Sequence, residues 1–176
     1  VGWVAMKSAF GGQFEHPELA SIPGMVVCGE LDHAYFSDQM ESVRRMRAEQ
    51  QALVHILVEA GGPHWPTDPT FEMQNSFLRH VFYRRVPFNA DARIEPPALM
   101  KIEEAHGWLG QNLDGNRVLQ INNGERTYVW DRPVNVKSHL AISAFDEYPG
   151  EVRSASWFPG PEYARAWQKY CATLST

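Results

Sequence analysis

Two stretches constrain this chain more than any others: IPGMVVCGELD at residues 22–32 and LVHILVEAGGPHW at residues 53–65. Met25–Cys28 runs apolar without alternation, as in a strand buried on both faces. The second run climbs through Val54, Ile56 and Val58, breaks at Gly61-Gly62 and sets down His64. Strands buried on both faces belong to parallel sheets wrapped by helices, so an α/β fold is predicted. At 176 residues the chain suits one domain or one and a half. A domain of ~150 residues hides about two thirds of its unfolded surface, enough for a sizeable core.

The other elements fit the same grammar. Val1–Ser8 reads as a short strand, and His16–Ser21 as a brief helix with Pro17 in its first turn. Ser37 or Asp38 is the expected cap of a helix running to about Gln51. Met40, Val43 and Met46 form its apolar side, and Arg44, Arg45, Arg47 and Glu49 face water. Leu53–Glu59 is the next strand. A further helix starts at Pro69 or Thr70, runs through Phe71, Phe77, Leu78 and Val81, and ends before Pro87. Right-handed crossovers would make the three strands parallel and side by side.

After Pro87 the pattern changes. Residues 88–98 read as a linker, Leu99–Ala105 as one or two helical turns, and GWLG at 107–110 precedes loop residues. Arg117–Ile121 and Arg126–Trp130 flank NNGE, a hairpin signal. Val134–Ser143 adds a strand, and Pro161–Leu174 closes the chain as a helix with Tyr163, Ala166, Trp167 and Tyr170 on one side. Trp108, Trp130, Trp157 and Trp167 are expected to form the small core of a hairpin-plus-helix module rather than a sugar-stacking surface. The chain thus divides into an α/β part, residues 1–86, and a small Trp-rich α+β appendage, residues 87–176.

The net charge of −5 is mixed in sign, with no basic stripe to suggest nucleic acid. No apolar stretch approaches the ~20 residues of a membrane-spanning helix. Cys28 lies in an apolar run and reads as a buried free thiol. It and Cys171 make no zinc spacing. The chain opens VGWVAMKS, inside what reads as a strand and with no initiator methionine, so the N-terminal part of a longer protein is expected to precede it.

Ligand sites in parallel sheets lie beyond the carboxyl ends of the strands. Asp32 and His64 both sit just past such ends, which makes them the candidate acid and base. Each has a plainer reading: Asp is a common turn former, and a loop histidine need do nothing more. Glu30 and Asp38 compete for the acid role. His33 is expected to point away, and His55 to be a packed core or edge residue. His16, His80, His106 and His139 show no ligand spacing, and Glu15, His16, Asp32 and His33 match no metal motif. Trp65 either walls the site or simply packs.

A strand ending in G-x-x-D, then a helix, then a strand and a histidine loop, resembles the C-terminal half of an α/β-hydrolase. IPGMVVCGELD matches the acid turn, VHILVEAGGPHW the last strand and histidine loop, and FEMQNSFLRHVFYRRVP the helix that follows. The likeness covers about residues 1–86 and is nearest the dienelactone-hydrolase-like and esterase-like branch. In that family the nucleophile precedes the acid and the acid precedes the histidine. The resemblance implies that His64 serves as general base towards a serine, with Asp32 fixing its tautomer and stabilising the imidazolium. It implies a small-molecule carboxylic ester as substrate, with a peptide (the oligopeptidase branch) as runner-up, and no cofactor.

The sequence departs from the family in one respect: it contains no G-x-S-x-G. Ser8 in MKSAF and Ser37 in YFSDQ are not nucleophile elbows. The serine and the oxyanion-hole donors would lie before Val1, in the missing N-terminal half, and the chain alone is expected to be inactive. Ser8, Phe10 and Gly11 would line the acyl pocket. The strand at Val1–Ser8 would then have an unpaired outer edge, which invites association. The alternative is a non-catalytic binding module derived from a hydrolase half, with the Trp-rich tail as its contact surface.

Overall fold

The computed structural model describes residues 1–7, 17–32, 35–91, 95–134 and 141–173. Three strands, β1 (Trp3–Met6), β2 (Gly24–Gly29) and β3 (Val54–Glu59), form a parallel sheet in the order β1-β2-β3. Ala5 pairs with Val26, and Val26 with Ile56. Every residue of β2 and β3 is buried, as a sheet covered on both faces requires. With the helices α1 (Pro17–Ala20), α2 (Phe36–Gln50), α3 (Asp68–Arg85) and α4 (Pro161–Thr173), the chain is of mixed α/β class.

α2 covers the sheet with Phe36, Met40, Val43 and Met46, all buried. Its Gln51 C-cap is left-handed, and the chain turns directly into β3. No side chain caps its start. Tyr35 is the N-cap, and the Asp32 carbonyl accepts from the Tyr35 and Phe36 amides. Ser37 and Asp38, the expected caps, already lie within the first turn, and the Ser37 hydroxyl donates to the Arg117 carbonyl. α3 begins one residue before Pro69, with Thr67 as N-cap, and buries Thr70, Met73, Phe77 and Val81, while Phe71 is exposed.

The C-terminal part adds two small sheets. β5 (Arg117–Asn122) and β6 (Glu125–Trp130) form the hairpin expected from NNGE. Asn123 and Gly124 both take positive φ (53° and 84°), as the tight type I′ turn demands. β4 (Trp108–Gly110) lies between β7 (Ile142–Ala144) and β8 (Ser156–Phe158), antiparallel to both. The GWLG stretch is therefore the central strand of a sheet, and SWF is a strand without any periodicity to announce it. Of residues 99–105, only a single 3₁₀ turn at Glu104–His106 is helical. Residues 135–140, part of the expected strand at 134–143, lie outside the described residues.

The tryptophans do not make a core of their own. Trp167 joins Tyr163, Tyr170, Cys171 and Phe158 in the main core with the parallel sheet, while Trp157 packs with Leu53, Ile102, Leu109 and Ala155. Residues 156–171 close the outer edge of β3. Ser156 Oγ accepts from the Ile56 amide at 3.2 Å, Trp167 Nε1 donates to the Ile56 carbonyl at 2.8 Å, and the Cys171 thiol meets the Val58 backbone.

This packing also overturns the solvent-facing assignment of Arg47, which is fully buried. It donates to the carbonyls of Ala155 (2.6 Å), Val152 (3.0 Å) and Ala52 and pairs with Glu104 at 2.7 Å. The 3₁₀ turn at Val152–Ser154 packs on α2 and covers what the helix periodicity alone assigns to water. Arg44 is likewise half-buried, held by Asn116 and the Leu113 carbonyl, whereas Arg45 stays outside beside Glu49.

Candidate active site

The acid and histidine turns are stitched together by backbone bonds at the carboxyl end of the sheet. The Glu30 amide donates to the Glu59 carbonyl at 3.0 Å and the Leu31 amide to the Gly62 carbonyl at 2.9 Å. Gly61 takes a φ of 64°, which an L side chain adopts only at a cost and glycine adopts freely. Gly29 serves a different need. A Cβ there would stand 2.4 Å from the carbonyl oxygens of Gly62 and Pro63, so the histidine loop can cross over the acid turn only above a glycine.

Across this crossing the structure brings Asp32 and His64 together, with Oδ2 to Nδ1 at 2.9 Å. Asp32 is 5% exposed, anchored by its amide to the Gly29 carbonyl and by its own carbonyl to the start of α2. The His64 side chain is 42% exposed, so one end of the ring is held and the other faces outward. An ionised carboxylate only accepts, so the Nδ1–H tautomer is the one that satisfies the contact and leaves Nε2 with its lone pair. Among the described residues nothing hydrogen-bonds to Nε2. Tyr35 and Trp65 flank the imidazole, with ring centroids at 5.6 Å and 5.2 Å, and the Trp65 side chain is otherwise exposed.

The competing acids are occupied or remote. Glu30 accepts from the Gly61 amide and from Trp130 Nε1, and Asp38 sits exposed in the first turn of α2. His55 is a core residue, hydrogen-bonded through Nε2 to the Tyr163 hydroxyl at 2.8 Å. Burial pushes its pKa down to about 3, so it is neutral and far from base chemistry at neutral pH. His80 is tied to the Ser76 carbonyl and to Glu162. Burial pushes both thiols up, Cys171 to about 12, which removes them as thiolate nucleophiles. Ser8, Phe10 and Gly11, the expected pocket lining, lie outside the described residues, as do Glu15, His16, His33 and His139.

One feature of the site has no signal in the sequence. Lys7, at the end of β1, is buried and takes a φ of 42°. Its ammonium donates to Glu59 Oε2 at 2.6 Å, the Pro63 carbonyl at 2.6 Å and the Trp65 carbonyl at 2.8 Å, using all three of its hydrogens. Glu59 also accepts from Thr67 at 2.6 Å and Thr70 at 3.1 Å, and Thr70 meets the Tyr170 hydroxyl at 2.7 Å. The network joins the ends of β1 and β3 to the start of α3 and to α4. A cavity of about 430 Å³ bordered by Arg79, Tyr83, Arg84, His106 and Trp108 contains neither Asp32 nor His64. No described helix is long and apolar enough to cross a membrane. Comparison with protein-family models, with characterised proteins and with solved structures returned no match.

Proposed function

We propose that the chain supplies the acid and the histidine of a Ser-Asp-His hydrolase of the α/β-hydrolase type, acting on a carboxylic ester. One observation carries this reading: the Asp32–His64 hydrogen bond formed across the carboxyl ends of two adjacent parallel strands. His64 Nε2 takes the proton of a serine hydroxyl as the serine oxygen attacks the ester carbonyl. Asp32, on Nδ1, stabilises the imidazolium so formed. The same proton passes to the departing alcohol when the ester C–O bond breaks. A water then gives its proton to Nε2 and attacks the acyl-serine, and the carboxylic acid leaves as the serine is reprotonated.

The serine is assigned to residues before Val1, on a strand beside β1. The test uses the protein extended to include the residues encoded upstream. A fluorophosphonate probe is expected to label one upstream serine, and hydrolysis of p-nitrophenyl butyrate is expected to fall by about 10⁴ in D32N and at least as far in H64A. Labelling and hydrolysis that survive H64A would refute the assignment. An extended protein without a labelled serine would leave the binding-module alternative in its place.

A further inference from the structure

We infer that Lys7 is a positioning residue for His64, an inference that rests on the proposed function only in taking His64 as the base. The two carbonyls that receive the Lys7 ammonium, Pro63 and Trp65, are those immediately before and after His64. Two fixed points on either side of one residue set both the height of its Cα above the sheet and the direction of its side chain. Pro63 and Pro66 further restrict the loop, since each proline fixes its own φ.

Two further observations support a positioning role over simple charge balance. Lys7 adopts a left-handed backbone, a conformation that costs a non-glycine residue ~1–3 kcal/mol and persists where the surroundings impose it. Glu59, for its part, has both carboxylate oxygens bonded to Lys7, Thr67 and Thr70, which fixes where the ammonium sits. The strain at Lys7 and the anchoring of Glu59 bring a cation beneath the loop at hydrogen-bond distance from both carbonyls.

The decisive measurement is the tautomer of His64, read from the two ring-nitrogen shifts in ¹⁵N-edited spectra of the extended protein above the pH at which the ring is protonated. Wild type is expected to show the single Nδ1–H form, and D32N to lose it. K7M/E59Q removes both buried charges together, whereas K7M alone would strand the Glu59 carboxylate. It is expected to keep cooperative urea unfolding and yet lose the single Nδ1–H signature, giving the mixture of tautomers. A K7M/E59Q protein that retains the signature would overturn the inference and leave Lys7 as the counter-ion of Glu59. A D32N protein that retains it would overturn the Asp32–His64 pair itself, which keeps the two failures apart. Should the double variant not fold, wild type decides: couplings across the hydrogen bonds from the Lys7 ammonium to the Pro63 and Trp65 carbonyl carbons are expected, and their absence would overturn the inference.

Discussion

Replacing Gly29 by alanine should separate the two halves of the site by a predictable distance. An alanine Cβ would lie 2.4 Å from both the Gly62 and Pro63 oxygens and 2.9 Å from the Gly62 carbonyl carbon. Close carbon–oxygen contacts settle near ~3.3 Å, so the loop backbone has to retreat by about 0.9 Å. Asp32 cannot follow it, because its amide is bonded to Gly29 and its carbonyl to the start of α2. The Asp32–His64 contact, 2.9 Å in the native chain, then opens to about 3.8 Å, too long for a hydrogen bond. Overpacking of this kind costs ~1–3 kcal/mol, and a displacement of ~1 Å can cost about 100-fold in rate. Urea unfolding reads the first effect. The His64 ring-nitrogen shifts, and ester hydrolysis by the extended protein, read the second. G61A is the control. Its Cβ meets nothing within 4 Å, so it should lose only the ~1–2 kcal/mol of a left-handed residue and keep the pair intact. A G29A protein that keeps the native His64 signature would refute the reasoning, as would a G61A protein that loses it equally.

Two further outcomes concern the core. His55 has its folded pKa near 3 against an ordinary 6.5, so the unfolded chain binds the extra proton first. Its contribution to stability is complete above pH 6.5 and is lost as pH falls towards 3, by about 2 kcal/mol at pH 5. H55F pays a pH-independent cost at the Tyr163 hydroxyl but lacks this slope. Equal pH slopes of wild type and H55F in urea unfolding would exclude His55 as the source. R47M leaves Glu104 and three backbone carbonyls without their guanidinium, and should destabilise the chain by ~3 kcal/mol in the same assay. A loss below ~1 kcal/mol would mean that Arg47 behaves as a surface ion pair.

What was legible in the sequence was what short-range pattern encodes. β2 and β3 announce themselves because a strand buried on both faces cannot hide its composition, and the β5–β6 hairpin because Asn123-Gly124 can do little else. Asp32 and His64 were legible as an acid and a histidine set just past the ends of those strands, in the G-x-x-D turn and after the Gly-Gly break. The glycine of the G-x-x-D turn was visible as a letter, but its reason, a loop crossing at contact distance, requires the fold. Lys7 and Glu59 were not legible as a pair. They are 52 residues apart, and a lysine at a strand end reads as solvent-facing until another loop covers it. Arg47 failed for the same reason: helix periodicity gives the direction of a side chain, not what packs there from residues 104 and 152–155. β4 and β8 are three residues each, shorter than any window in which alternation can be counted.

The two edges of the parallel sheet are not equivalent, and the difference bears on where a nucleophile can stand. Along β3 the outward-facing groups of Ile56 are taken by the Ser156 hydroxyl and the Trp167 indole, and Val58 is met by Cys171, so a further strand there would have to displace α4 and β8. Along β1 the amides of Trp3 and Lys7 point inward to β2, bonded to the Pro23 and Val27 carbonyls, which turns Val4 and Met6 outward. Among the described residues no strand pairs with that side. The proposed reading places a serine-bearing strand on this side of β1, where the outward groups of Val4 and Met6 would receive it. Its carboxyl end would lie beside Lys7, in line with the turns that carry Asp32 and His64. Among the described residues, the C-terminal strands and helix bond to the β3 edge and no strand pairs along the outer side of β1, the edge the proposed reading needs.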